Sequence, residues 1–147
     1  MWLFTTVGFF SVTRSKDEPE MMQVRARERH DLESLIAVAG IDATILETPE
    51  ADYRWRIIVR PKTATQVIAL LVDRIDYSNF KNAVHDAPGQ ENKAIPYIRV
   101  WSVMNGLQNG TAGGYPHPRG DLFDAEEIGR KFGVSEHDGD GDGDGER

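Results

Sequence analysis

The chain has no cysteine. That excludes disulfides, thiolate zinc sites and cysteine nucleophiles, and it fits a reducing compartment. Nor does it have an apolar run that could span a bilayer, which takes about 20 residues. The nearest approach is MWLFTTVGFFSV at residues 1–12. This run lacks the basic leader and small-residue cleavage site of an export signal, and Arg14 and Lys16 follow it instead of preceding it. The expectation is a cytoplasmic protein with no membrane partner.

Motifs for chemistry are missing as well. His30, His85, His117 and His137 include no i, i+4 pair. Only a meeting in space of His30–Asp31 with His85–Asp86 would make a metal site, and no metal is assigned. Ser11, Ser34, Ser78 and Ser102 lie in no nucleophile elbow. The glycines at 106, 110, 113 and 114 do not follow a strand and open a helix, as a phosphate loop requires. Asp138, Asp140, Asp142 and Gly143 begin a calcium loop, but no glutamate stands six residues beyond Gly143. No catalytic residue and no cofactor is assigned, and the expectation is a protein that is not an enzyme.

The body also lacks net charge. The formal charge is -7, yet residues 1–119 carry 14 basic and 14 acidic groups. Residues 120–147 carry 3 basic and 10 acidic groups and supply the whole imbalance. Length and composition suit one folded unit, residues 1–109. A Gly/Pro linker is expected at 110–120, a short helix at 121–132 and a disordered acidic tail at 133–147. Such a tail would compete with anionic ligands, so deleting 133–147 should strengthen binding to polyanions.

Within the body, alternation and helical spacing define the elements. Residues 2–13 read as a strand or hairpin, with Gly8 marking a bulge, a bend or the close approach of another backbone. A second strand covers about 22–27, joined to the first as a hairpin. Leu32, Leu35, Ile36 and Ala39 place a helix over 31–39, capped by Asp31 or His30 and stopped by Gly40. ATILET at 43–48 is a short strand. In the strand at 53–60, Tyr53, Trp55, Ile57 and Val59 share one face, and Arg54, Arg56, Ile58 and Arg60 share the other. Thr63 and Gln66 match a capping box, and Ala64, Val67, Ile68, Leu71, Val72 and Ile75 follow on one helical face. A short helix at 76–85 turns Phe80 and Val84 inward, and a further helix spans 96–108. The predicted fold is α+β. Its specific form is a ferredoxin-like sandwich in a permuted order, β-β-α-β-β-α plus extra C-terminal helices, with strand order 1-2-4-3.

Four segments carry a resemblance. MWLFTTVGFFSV, ETPEADYRWR at 47–56, DYSNFK at 76–81 and RVWSVM at 99–104 together resemble a family of small uncharacterised bacterial proteins. The resemblance covers residues 1–108. It implies a bacterial or phage origin and a single cytoplasmic domain, and it implies no activity and no catalytic residues.

Three sets of residues are candidates for a site. Arg25, Arg27, Arg54, Arg56 and Arg60 recur on strands and suit phosphate or a nucleic-acid backbone. The bland alternative is a solvated face, ion-paired to Glu28, Glu47, Glu50 and Asp52. Asp76, Tyr77, Asn79 and Lys81 form a compact polar cluster, in which Asp76 could be no more than a helix cap. Tyr53, Trp55, Tyr97 and Trp101 would line an aromatic pocket or simply pack. The leading expectation is a small accessory protein acting through a partner-binding surface, with a protein partner or a second copy as occupant. The alternatives are nucleic-acid or phosphate-ligand binding by the arginine face, and a small enzyme with a pocket between sheet and helix.

Overall fold

The computed structural model describes residues 1–108 and Gly110. The linker, the short helix and the acidic tail expected from the sequence lie outside the described residues. The N-terminal segment folds as a hairpin of β1 (Trp2–Phe4) and β2 (Phe9–Arg14). Thr5 makes its turn. Its Oγ1 accepts from the N–H groups of Val7 and Gly8 and donates to the Gly8 carbonyl. Gly8 is required by a side chain, not by a second backbone. A Cβ there would stand 2.7 Å from Cβ and Cγ of Asp31, far inside contact distance.

The remaining elements are β3 (Met22–Ala26), α1 (Arg29–Ala39), β4 (Leu46–Glu47), β5 (Trp55–Val59) and α2 (Pro61–Asp73). They are followed by α3 (Phe80–Asp86), a 3-10 turn at Glu91–Lys93, and α4 (Ala94–Gln108). The five strands form one sheet in the order β1-β2-β3-β5-β4, and every neighbouring pair is antiparallel. β3 and β4 therefore run parallel, with β5 between them and α1 as the crossover. The N-terminal hairpin lies beside β3, the side on which the sequence places residues 2–13.

One face of this sheet holds the main core. Phe10 and Val12 of β2, Val24 and Ala26 of β3, and Ile57 and Val59 of β5 meet Leu32 and Leu35 of α1 and Ala64 and Val67 of α2. These are the alternate residues on each strand and the i, i+3 pairs on each helix, so the period of each element aims its apolar side chains at one layer. A second, smaller cluster forms on the other face. Val84 of α3 with Ala94 and Tyr97 of α4 pack against Phe4, Phe9 and Phe80. The late helices thus cover the β1–β2 end of that face.

Several boundaries differ from the sequence reading, each for a local reason. α1 starts at Arg29 with Glu28 before it, and no side chain caps it. Asp31 sits inside the first turn with its carboxylate directed at Phe9, Gln90 and Lys93. Gly40 ends α1 in the left-handed region at φ 60°, as expected. The capping box at Thr63 does not form, because Pro61 opens α2 two residues earlier. Proline has no N–H to leave orphaned and its fixed φ suits the first helical position. α2 stops at Asp73, so helical spacing no longer governs Ile75; it is 53% exposed and Val72 is 59% exposed. Asn79, not Asp76, caps α3, accepting from the N–H groups of Lys81 and Asn82. The strand at 43–48 contracts to Leu46–Glu47, and β5 begins only at Trp55.

Candidate functional site on the open face of the sheet

The face of the sheet that α1 and α2 leave uncovered carries one line of side chains across all five strands. Trp2 stands opposite Ser11, Ser11 opposite Arg25, Arg25 opposite Arg56, and Arg56 opposite Leu46. Directly opposed residues share a face, and strands lie about 4.8 Å apart, so Trp2 and Arg56 are separated by about 14 Å along this line. Trp2 is 63% exposed.

Two arginines of the line converge with Arg27 on Tyr53. Tyr53 lies just before β5, outside the strand, and its ring turns onto the open face instead of sharing the core face with Trp55. It packs 6.2 Å from Phe9, and the guanidinium groups of Arg25 and Arg27 lie 4.8 Å and 4.6 Å from its centroid. Cations over an aromatic face gain about 0.5–2 kcal/mol each. The loop backbone adds acceptors. Arg27 Nη1 donates to the Asp52 carbonyl at 2.8 Å, and Arg56 Nη2 to the Tyr53 carbonyl at 3.1 Å. Arg25 Nη2 donates to Ser11 Oγ at 2.8 Å.

These contacts leave the charge unanswered. Among the described residues no carboxylate lies within 4.0 Å of Arg25, Arg27 or Arg56. The Nε–H groups of Arg25 and Arg56 are buried and have no hydrogen-bond partner there. Arg54 differs, since it is paired to Glu47 at 2.6 Å and reaches over the ring of Trp55. Arg60 lies beyond β5 as the residue preceding α2 and is exposed. Of the five candidate arginines, then, Arg25 and Arg56 share a register position, Arg27 joins them through Tyr53, and Arg54 and Arg60 stand apart.

A second feature adjoins this face. Phe4, Phe80, Tyr97, Val100, Trp101 and Met104 line an open groove of about 540 Å³, with Ser78, Asn79 and Lys81 at its polar side. Phe80 stacks on Tyr97 at 5.8 Å, Phe4 meets Tyr97 edge-on at 5.1 Å, and Lys81 Nζ lies 5.2 Å from the centre of the Trp101 ring. The polar cluster expected from the sequence is therefore divided. Asn79 and Lys81 reach the groove, Tyr77 packs on Phe80 at 6.1 Å, and Asp76 is exposed in the preceding loop. The four aromatics do not line one pocket. Tyr97 and Trp101 share the groove, Tyr53 belongs to the arginines, and Trp55 lies on the core side with Arg29 5.3 Å from its centre. Among the described residues that line the groove, the ionisable side chains are Lys81 and Tyr97.

The late helices are held down by a polar clasp that no sequence motif announces. Lys93 Nζ lies 2.6 Å from Asp31 Oδ1 and 2.6 Å from Glu28 Oε2. Asp31 is 1% exposed, and it also accepts from the Phe9 N–H at 3.2 Å and from Gln90 Nε2 at 3.3 Å. Burial alone would lower the Lys93 ammonium, but its hydrogen bonds to the two carboxylates outweigh that and hold it above the ordinary lysine value. Burial pushes the Tyr97 phenol well above its usual range, and the charges of Asp31 and Glu28 add to this. Glu91 is held low by the N–H groups of its own backbone and of Gly89. His85 is paired with Asp86 on the surface, His30 approaches Ser34, and no group of three metal-ligating side chains occurs among the described residues.

The chain matches no family model, no curated protein and no solved structure. Among the described residues no helix is long and apolar enough to cross a membrane.

Proposed function

We propose that this protein binds single-stranded nucleic acid on the open sheet face. Arg25, Arg27 and Arg56 take the phosphates, and Trp2 offers a base a stacking surface. The reading rests on one observation. Arg25 and Arg56 stand side by side in register, with buried Nε–H groups and no carboxylate nearby. Like charges directly opposite on a sheet are unfavourable, and each unmet buried donor costs about 1–3 kcal/mol. A phosphate lying between them would answer both costs, since its oxygens accept from guanidinium forks. A backbone spacing of about 14 Å from Arg56 to Trp2 leaves room for a short stretch of strand to reach both.

Three further elements complete the proposal. The fold is read as a permuted ferredoxin-like sandwich. β3-α1-β4-β5-α2 supplies most of that unit, and β2 takes the place of its last strand. The protein is taken to be a cytoplasmic member of the bacterial family that its sequence resembles. The acidic stretch at 120–147 is taken to be a competitor for the arginines.

The test is fluorescence anisotropy with oligo-dT and with a duplex of equal length, across a salt series. Tighter binding of the single strand is expected, with affinity falling by about 0.7 log units per phosphate contact for each log unit of salt. Arg25→Gln and Arg56→Gln should each flatten that slope. No binding of either form at low salt retires the reading.

A further inference from the structure

Arg25, Arg27 and Arg56 are tethered but not neutralised. Each guanidinium donates one hydrogen bond, and each acceptor is a neutral oxygen: Ser11 Oγ for Arg25, the Asp52 carbonyl for Arg27 and the Tyr53 carbonyl for Arg56. A guanidinium has five N–H donors. One bond therefore fixes its direction and leaves most of its fork open. Arg25 and Arg56 are direct cross-strand partners, which sets their Cβ atoms about 5 Å apart. Arg25 and Arg27 lie 4.8 Å and 4.6 Å from the centre of the same Tyr53 ring. That keeps the third cation within about a Debye length of the first, ~10 Å at 0.1 M salt. Three positive charges thus converge, and among the described residues no carboxylate lies within 4.0 Å of them. Two of their Nε–H groups, on Arg25 and Arg56, and the Tyr53 hydroxyl are buried there without a hydrogen-bond partner.

The line of cations also stops at Arg56. The residue opposite it on β4 is Leu46, 44% exposed, and next to Leu46 stands Glu47, which holds Arg54. A nucleic-acid backbone crossing the sheet from Trp2 therefore leaves the cations at Arg56 and runs onto an apolar side chain beside a carboxylate. We infer that the arginines hold the end of the strand, a terminal phosphomonoester, in preference to an internal phosphodiester. This rests on the nucleic-acid reading and narrows it. Two forks side by side need more than two acceptor atoms. An internal diester offers two unesterified oxygens and one negative charge. A terminal monoester offers three oxygens and a charge of about −1.5 to −2 at neutral pH. Each fork then takes a pair of oxygens, with one oxygen shared. The second charge also answers more of the three cations, which one diester leaves largely unmatched. From the monoester the strand extends back along the row toward Trp2, about 14 Å away.

Isothermal titration calorimetry of the full chain with short oligo-dT strands that differ only at one end tests it. The ends are a 5′-phosphate, a 3′-phosphate, a 5′-phosphate capped as its methyl ester, and hydroxyls throughout. A terminal phosphate should lower the dissociation constant about tenfold against the hydroxyl strand, the equal of roughly one charge-assisted hydrogen bond. The end that gives the larger gain sets the direction of the strand. The methyl ester keeps the phosphorus but loses one oxygen and the second charge, so it should forfeit most of the gain. Arg25→Gln and Arg27→Gln should each shrink the gain below about threefold, with circular dichroism as the check on folding. Arg27 is exposed, so its substitution spares the core and decides the matter if Arg25→Gln unfolds. Equal affinity for phosphate and hydroxyl ends overturns the inference and leaves the nucleic-acid reading standing. A methyl ester that binds as tightly as the monoester overturns it too, as does a gain that survives both substitutions. Binding of none of the strands removes the nucleic-acid reading itself, and the inference with it.

Discussion

Replacing Lys93 by methionine should unfasten the late helices from the sheet. The change keeps most of the apolar stem and removes the ammonium that lies 2.6 Å from both Asp31 and Glu28. The two carboxylates respond differently. The Glu28 side chain is 46% exposed and regains water, so its share of the loss is small. Asp31 is 1% exposed and stays where it is, because α1 and the Phe9 N–H fix it. Removing one partner of a buried ion pair typically costs about 3–5 kcal/mol. Asp31 keeps two donors, Phe9 N–H and Gln90 Nε2, which places the expected loss nearer 2–4 kcal/mol. Urea unfolding at neutral pH, followed by far-ultraviolet circular dichroism, should show the midpoint lower by roughly 1–2 M. The second half of the test is Asp31→Asn with Lys93→Met. If the cost is an uncompensated buried charge, the double variant loses less than the sum of the two single ones. A Lys93→Met variant within about 0.5 kcal/mol of the parent, or strict additivity in the cycle, would refute the reasoning.

The same pair sets a pH dependence. Lys93 has its folded pKa raised, so its contribution is fully present below the ordinary lysine value of about 10.5 and is lost as pH rises through the higher folded value. Stability should therefore fall more steeply above about pH 10.5 in the parent than in Lys93→Met, as read by urea midpoints on either side. Gly8→Ala should cost about 1–3 kcal/mol, because its new methyl meets Asp31 Cβ at 2.7 Å and the Phe10 ring at 2.8 Å; thermal unfolding would measure it. Arg56→Gln should leave the ligand-free protein as stable or up to about 1 kcal/mol more stable, since it removes a like charge opposite Arg25. A large destabilisation there would mean that the arginines are structural.

Where the sequence is legible, a period explains why. Val24 and Ala26 alternate with Gln23 and Arg25, and that alone assigns Arg25 to the face opposite the core. Ile57 and Val59 do the same for Arg56. Neither the partner strand nor the register is written in such a pattern, so the juxtaposition of Arg25 with Arg56 appears only once β3 and β5 are paired. Tyr53 is misread because period 2 is extrapolated two residues past the start of β5, where the backbone has left the strand. Ile75 is misread in the same way beyond the end of α2, whereas Val72 lies within the helix and is exposed there. The clasp of Asp31 and Lys93 has no local signal at all. Its members lie 62 residues apart, and a buried carboxylate in a first helical turn reads in sequence as an ordinary cap.

The clasp and the arginine face are linked by what they share. Asp31 accepts from the Phe9 N–H, and the ring of Phe9 lies 6.2 Å from Tyr53 and 4.8 Å from Phe4. Tyr53 holds Arg25 and Arg27, and Phe4 walls the groove beside α4. Phe9 is thus the point where the buried ion pair, the cationic cluster and the apolar groove meet. The local stability of the β1–β2 hairpin should control both surfaces, because Trp2 and Phe4 are carried on its three-residue outer strand. A strand that short has few ladder bonds of its own, so its order depends on packing against Phe9 and on the late helices that Lys93 fastens. A stable clasp is therefore a condition for order at the β1–β2 end of the arginine face.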